Sequence, residues 1–344
     1  MYKFESISLD NREKWDNVIL NSNYYDFYHT SCYHVIESKA GKAELLFATD
    51  GTDHIAIPLI FREIPNTDLF DATSVYGYCG PITNQLFENI PLELIKYFQN
   101  QTTRYFKSNK VVTVFSRLHP LIDTTRIFED FGTVRNVNQT ITIDLTKDLD
   151  TQRRKYRKTL LYDINKLRST NYNVVKASTK NEIERFVSIY IETMKRVESK
   201  ESYFFDREYF TYFIENSCFK SDILLAVKDM EIAAGAIFTE INGIMQYHLA
   251  GTSNKFIRDA PMKLILDEAR LMGTQRNLNY LHLGGGVGGS DKDSLFFFKS
   301  GFSKNKFDFK VWQMLVDEEK YELLSAGVDK DTSDNFFPLY RLKN

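Results

Sequence analysis

Along the 344 residues the spacing of apolar positions changes repeatedly between two and 3.6, which is the signature of a mixed α and β chain. Alternating stretches at 44–49 and 55–62 flank Asp50-Gly51-Thr52-Asp53-His54, whose turn-favouring Asp-Gly predicts a hairpin. A loop, Ser74-Val-Tyr-Gly-Tyr-Cys-Gly-Pro81, leads to a predicted helix over 91–107 with Leu92, Ile95, Phe98 and Thr102 along one side, and a strand at 111–116 closes the set. The same order returns downstream. A strand at 223–228 precedes a hairpin of 232–241 and 244–250 about Asn242-Gly243, the strongest short turn signal in the chain. Asp259-Ala-Pro261 then opens a helix with Met262, Ile265, Leu266, Ala269 and Met272 on one face; Gly273 is expected to end it, before a strand at 279–283.

Two copies of hairpin, loop, helix and strand predict an α/β (α+β) fold built from a duplicated domain, although the copies share almost no residue identity. Between them lie an alternating strand at 139–144 and a basic helix over 150–169. In that helix Tyr156, Leu160, Ile164 and Leu167 form an apolar stripe, while Arg154, Lys155, Arg157, Lys158, Lys166 and Arg168 cover the rest. A second periodic helix follows, with Ile183, Phe186, Val187, Tyr190, Met194 and Val197 on its buried face. The domain boundary is expected at 145–150.

Charge narrows the partners. Lys+Arg of 44 against Asp+Glu of 46 gives a formal net charge of −2, so any polyanion site must be local, and the basic helix is the place for it. The cysteines Cys32, Cys79 and Cys218 are too few and too scattered for a disulfide framework or a zinc knuckle. The six histidines have no H-E-x-x-H or similar spacing, so no metal site is expected. With no apolar run at the N-terminus and none approaching the roughly 20 residues that span a bilayer, the expectation is a soluble cytoplasmic protein.

The most unusual composition is Leu283-Gly284-Gly285-Gly286-Val287-Gly288-Gly289-Ser290, with five of the sixteen glycines. It formally matches the dinucleotide fingerprint after a strand, but too little chain follows to complete a Rossmann sheet, and Gly-Lys-Ser/Thr is absent. The stretch is either a surface loop or backbone that a ligand approaches closely. Asp291 or Asp293 can cap the next helix, and Gly301 can end it, which puts Lys299 in its last turn. There the helix dipole alone accounts for a lysine; alternatively, Lys299 presents an ammonium to an oxyanion or phosphate. His248 and His282 are each either a base or a hydrogen-bonded core histidine. Arg196 is either a substrate clamp or a solvated helix residue.

The succession Tyr190-Ile-Glu-Thr193-Met-Lys-Arg196, Tyr203-Phe-Phe-Asp206, Tyr247-His-Leu-Ala-Gly251, His282-Leu-Gly-Gly-Gly286 and Phe298-Lys299-Ser-Gly301-Phe302 resembles the Fem (FemAB-like) transferases. Tyr76-Gly-Tyr-Cys-Gly-Pro81 and Arg117-Leu-His-Pro120 resemble that family in the first half. The resemblance implies two tandem GNAT-like (acetyltransferase-like) domains, each a mixed, mainly antiparallel twisted sheet flanked by helices. They would cover 1–146 and 147–317, with 318–344 returning to the first. It implies transfer of an aminoacyl or acyl group from a carrier to a primary amine of a peptidoglycan or other cell-envelope precursor, a nucleotide- or lipid-linked saccharide, without metal or permanent cofactor. Aminoacyl-tRNA or acyl-CoA would be the co-substrate. By motif, Lys299 is the implied catalytic cation. Arg196, Tyr203, Tyr247, Gly284, Gly285, Gly286, Phe298 and Phe302 are the implied substrate-binding set, with His248 the candidate base. The acyl-CoA loop signature is absent from Gly251-Thr-Ser-Asn-Lys-Phe-Ile-Arg258-Asp-Ala-Pro261, which favours aminoacyl-tRNA or another carrier. The alternatives are an acyl-CoA-dependent N-acyltransferase for an amino sugar of surface polysaccharide, and a non-catalytic GNAT-like pair that only binds tRNA or a partner.

Overall fold

Alternating apolar residues become strands wherever both sides of the backbone find cover, and the computed structural model describes residues 1–286, 293–328 and 336–343 in these terms. Gly288, Gly289 and the alternative cap Asp291 lie outside the described residues. The chain opens with β1 (Lys3–Ser8), α1 (Arg12–Leu20), α2 (Ser31–Glu37), β2 (Lys42–Thr49), β3 (His54–Glu63), β4 (Phe70–Thr73), β5 (Ile82–Thr83), α3 (Leu92–Ser108) and β6 (Val111–Arg117). Next come β7 (Thr133–Asp144), α4 (Leu149–Arg154), α5 (Lys158–Ser169), β8 (Tyr172–Lys176), α6 (Lys180–Arg196) and α7 (Arg207–Glu215). β9 (Lys220–Lys228), β10 (Glu231–Ile241), β11 (Ile244–Thr252), α8 (Met262–Gln275), β12 (Tyr280–Gly284) and α9 (Ser294–Lys299) follow, and β13 (Asn305–Leu315) with α10 (Glu318–Ser325) completes the course.

The chain divides into two compact units, 1–137 with 308–344, and 138–307. Both divisions fall inside strands, the first in β7 where a boundary was expected at 145–150, the second in β13 where the return was expected after 317. In the first unit the strand order is β1-β2-β3-β4-β6 followed by the end of β13, with β4 and β6 parallel and the other neighbours antiparallel. Its core joins Leu46, Ile57 and Leu59 of the sheet to Ile95, Phe98 and Phe106 of α3 and to Trp312. The C-terminal residues belong to this unit: Tyr340 Oη lies 2.6 Å from Thr113 Oγ1, and Arg341 donates to the buried Asp71 at 2.7 Å.

The second unit runs from the end of β7 through β12-β11-β10-β9-β8, parallel only at β11–β12. Ala234, Ala236 and Phe238 face α5 and α8. Gly235 and Gly251 lie beneath α6, and a Cβ at Gly251 would sit 2.9 Å from the Ile189 carbonyl and from Tyr190 Cα. No helix among the described residues is long and apolar enough to cross a membrane.

Three local expectations are corrected. The basic helix is two, because Arg157 takes an extended conformation (φ −66°, ψ 137°) between α4 and α5. Gly273 does not end α8, which runs on to Gln275; Gly273 is buried within it, leaving room for Leu145. Leu92, expected on the inner side of α3, is exposed, and Leu94 and Phe106 complete that face.

Candidate active site

β11 and β12 run side by side only from Ile244–Tyr280 to Gln246–His282. Past that point β11 continues against β10, with a bulge that leaves His248 as the extra residue, while β12 stays with β7, shifting register after His282 so that Gly284 meets Ile141. The two parallel strands therefore part. His282 is fully buried at the fork, its Nδ1 2.7 Å from Gln246 Oε1, which is the core-histidine reading of that residue.

Backbone geometry explains the glycines that follow. Gly284 has φ +74°, a region that L side chains disfavour. A Cβ on Gly285 would press on the Gln139 carbonyl at 3.1 Å, and one on Gly286 would collide with the Asp293 carboxylate. Asp293 in turn caps α9, accepting from the amides of Leu295 and Phe296 at 2.9 and 3.1 Å.

Lys299 ends α9 with 8% of its surface exposed. Its Nζ donates to the Gly285 carbonyl at 2.7 Å and lies 5.7 Å from the centre of the Tyr247 ring. Burial lowers its pKa to about 8, and the Asp293 charge pulls the other way. At neutral pH the group is thus a largely protonated, nearly dehydrated cation, and such a cation stabilises developing negative charge far better than one in water.

No family model and no curated protein matches the sequence. Solved structures do match. FemX aligns over 93% of this chain and 99% of its own, with a TM-score of 0.73 at 11% identity. L-PGS from Bacillus licheniformis aligns over 88% and 91%, with a TM-score of 0.59 at 14% identity. A tandem GNAT protein from the clavulanic acid biosynthesis pathway aligns over 92% and 99%, with a TM-score of 0.51 at 10% identity. The chain has a Fem-like, duplicated GNAT fold.

Within this Fem-like fold the expected site residues separate by sheet face. Tyr247 packs with Phe298 and Phe302 on the face that carries α5, α8 and α9. Phe302 is fully buried against Tyr156 (ring centroids 5.2 Å apart), so it supports α9 and cannot touch a substrate. His248 lies on the other face, stacked on Phe213 of α7 at 4.8 Å with Nε2 3.1 Å from Tyr209 Oη, and burial lowers its pKa to about 3. Its assignment as base is corrected: it is a neutral packing histidine pointing away from Lys299. Arg196 donates to the Thr252 carbonyl at 3.0 Å and to Asn254 Oδ1 at 2.5 Å, which ties α6 to the end of β11. The Tyr203 carbonyl accepts from Tyr190 Oη at 2.8 Å, beside α6 rather than beside Lys299.

The basic segment is also partly spent inside the Fem-like fold. Arg168 donates to Asp267 at 2.9 Å and to Glu268 at 2.6 Å, Arg153 lies 3.8 Å from Asp267, and Arg157 turns to α9. Arg154, Lys155, Lys158 and Lys166 remain solvent-facing.

The first unit has a pocket of about 510 Å³ that periodicity did not reveal, because its walls come from strands, α2 and the C-terminal residues. Arg62, Arg117, Arg135 and Arg341 line it with Phe115 and Glu37. Arg62 and Arg341 share Asp71 at 2.7 Å each, while burial raises the Glu37 carboxyl and nearby Arg117 opposes that rise. A larger groove of about 1090 Å³ between α6 and α7, floored by Ile183, Val187, Phe210 and Ile214, lies on the sheet face away from Lys299.

Proposed function

We propose that the chain is an N-acyltransferase of the Fem-like type, moving an aminoacyl or acyl group from a carrier to a primary amine of a cell-envelope precursor. The observation that carries this reading is the buried Lys299 ammonium beside the point where β11 and β12 part. The neutral acceptor amine attacks the carrier's acyl carbon, the new C–N bond forms, and the bond to the carrier's oxygen or sulfur breaks. The tetrahedral oxyanion meets the Lys299 ammonium, and the amine's proton ends on the departing group. Loss of one such donor typically costs about 10²–10³ in rate.

The start of α8 favours a carrier other than coenzyme A. A pyrophosphate would need free amides at that helix start. Here Lys263 N already donates to the Ala260 carbonyl at 3.1 Å and Leu264 N to that of Pro261 at 3.0 Å. Aminoacyl-tRNA fits that constraint. The solvent-facing Arg154, Lys155, Lys158 and Lys166 supply phosphate contacts for it. The arginine-lined pocket of the first unit suits the phosphate of a nucleotide- or lipid-linked saccharide acceptor.

A mass-spectrometric screen of charged tRNAs and acyl-CoAs against envelope precursors tests the reading. With the productive pair, Lys299→Ala is expected to lower turnover by about 10²–10³. Wild-type turnover should also fall as pH rises through about 8, where the ammonium is lost. Full activity of the alanine variant would refute the site, and product from acyl-CoA alone would favour the amino-sugar reading.

A further inference from the structure

α9 has six residues, too few to hold a helix by itself in water, and its last carbonyls need partners from elsewhere. One side chain outside the helix meets that need. Arg157 Nη2 donates to the Phe297 carbonyl at 3.0 Å and lies 3.3 Å from Ser300 Oγ. Its guanidinium stacks 3.7 Å above the Phe297 ring, which is otherwise 61% exposed, and its amide donates to the Gly301 carbonyl at 2.8 Å. The extended backbone that separates α4 from α5 aims it there. Gly301 also leaves room: a Cβ would sit 3.0 Å from the Phe298 carbonyl and 3.8 Å from Arg157 Cζ.

We infer that Arg157 is the positioning residue for Lys299, locking the carboxyl end of α9 so that the ammonium stays buried beside Gly285. Asp293 holds the amino end of the helix, so α9 is fixed at both ends by single side chains. Among the described residues, the charged or titratable groups packed against Lys299 or its helix are Asp293 at the helix start, Tyr247 on β11, Arg157 at the start of α5 over the Phe297 ring and Lys306 of β13 over the Phe296 ring. Asp293 bonds the first amides of α9, whereas Arg157 bonds a carbonyl of its last turn, next to Lys299, and a lysine there could not form the same planar, stacked fork.

This inference rests on the Lys299 reading, but its test needs no substrate. Brief acetic anhydride labelling of the full chain across a pH series, quantified by peptide mass spectrometry, reports the titration of Lys299. Arg157→Ala is expected to raise its apparent pKa by roughly one unit or more toward the ordinary lysine value. Arg157→Lys should shift it the same way, and so should Phe297→Ala, which provides the comparison if Arg157→Ala does not fold. An unchanged Lys299 titration in the folded variants, even with a lower melting temperature, would make Arg157 a stabilising residue only and overturn the inference. Retained turnover in Lys299→Ala would refute the site reading alone, and the labelling result would still decide Arg157.

Discussion

A lysine confined between a carbonyl, a tyrosine ring and a helix cap is an unfavourable way to bury a side chain. The Lys299 pKa falls from 10.5 to about 8 on folding, so the unfolded chain holds that proton more tightly. The penalty is full below about pH 8 and vanishes as pH approaches the unfolded value, so this group makes stability rise with pH across that window. Lys299→Met is therefore expected to raise stability at pH 7 by at most roughly 3 kcal/mol on the 1.36 kcal/mol per unit scale, seen as a higher thermal midpoint. A calorimetric scan that finds the methionine variant less stable would contradict this account of the burial. Gly284 to Gly286 stood out because so much glycine is costly to order, whereas Lys299 stood out only through the motif around it, since a helix end by itself accounts for a lysine. Phe302 and His248 were misjudged because neither burial nor strand face appears in a motif. The bulge in β11 lies between His248 and any role that its neighbour Tyr247 suggested.

At the scale of elements, close backbone approach replaces side-chain packing where α6 crosses β11. The atoms nearest to Gly251 belong to the backbone of Ile189 and Tyr190, which cannot rotate away. Gly251→Ala is expected to destabilise by about 1–3 kcal/mol, as overpacking does, seen as a lower urea midpoint with an unchanged slope. The hairpins β2–β3 and β10–β11 and the helices α3 and α8 were readable because turn chemistry and apolar period agree within each. β1, β4 and β8 were not read, because an edge or a short strand is decided by its partner across the sheet. The break at Arg157 was hidden for a related reason. The apolar stripe of Tyr156, Leu160 and Ile164 continues across it, and what straightens the backbone there is a carbonyl at Gly301, far away in sequence.

For the molecule as a whole, buried neutral histidines are the groups that weaken the fold as pH falls from 7 toward 5. Burial lowers His29 to about 3, His34 to about 4 and His54 to about 4 in the first unit, and His248 to about 3 in the second. Each contributes stability that is intact above the unfolded value of 6.5. As pH falls below it, each loses up to about 1.4 kcal/mol per pH unit. Glu37, raised by burial, opposes this in the first unit as one group against three. Hydrogen exchange at pH 5 against pH 7 should show the first unit losing protection before the second; the reverse order would exclude this origin. The division of the chain has one more consequence. Residues 308–344 belong to the first unit, so synthesis supplies every residue of the second unit before the first gains its closing strand and the Arg341 partner of Asp71. The earlier-made unit is thus the later one to have all its strands, and a first unit cut off before residue 308 would present an unpaired edge at β6.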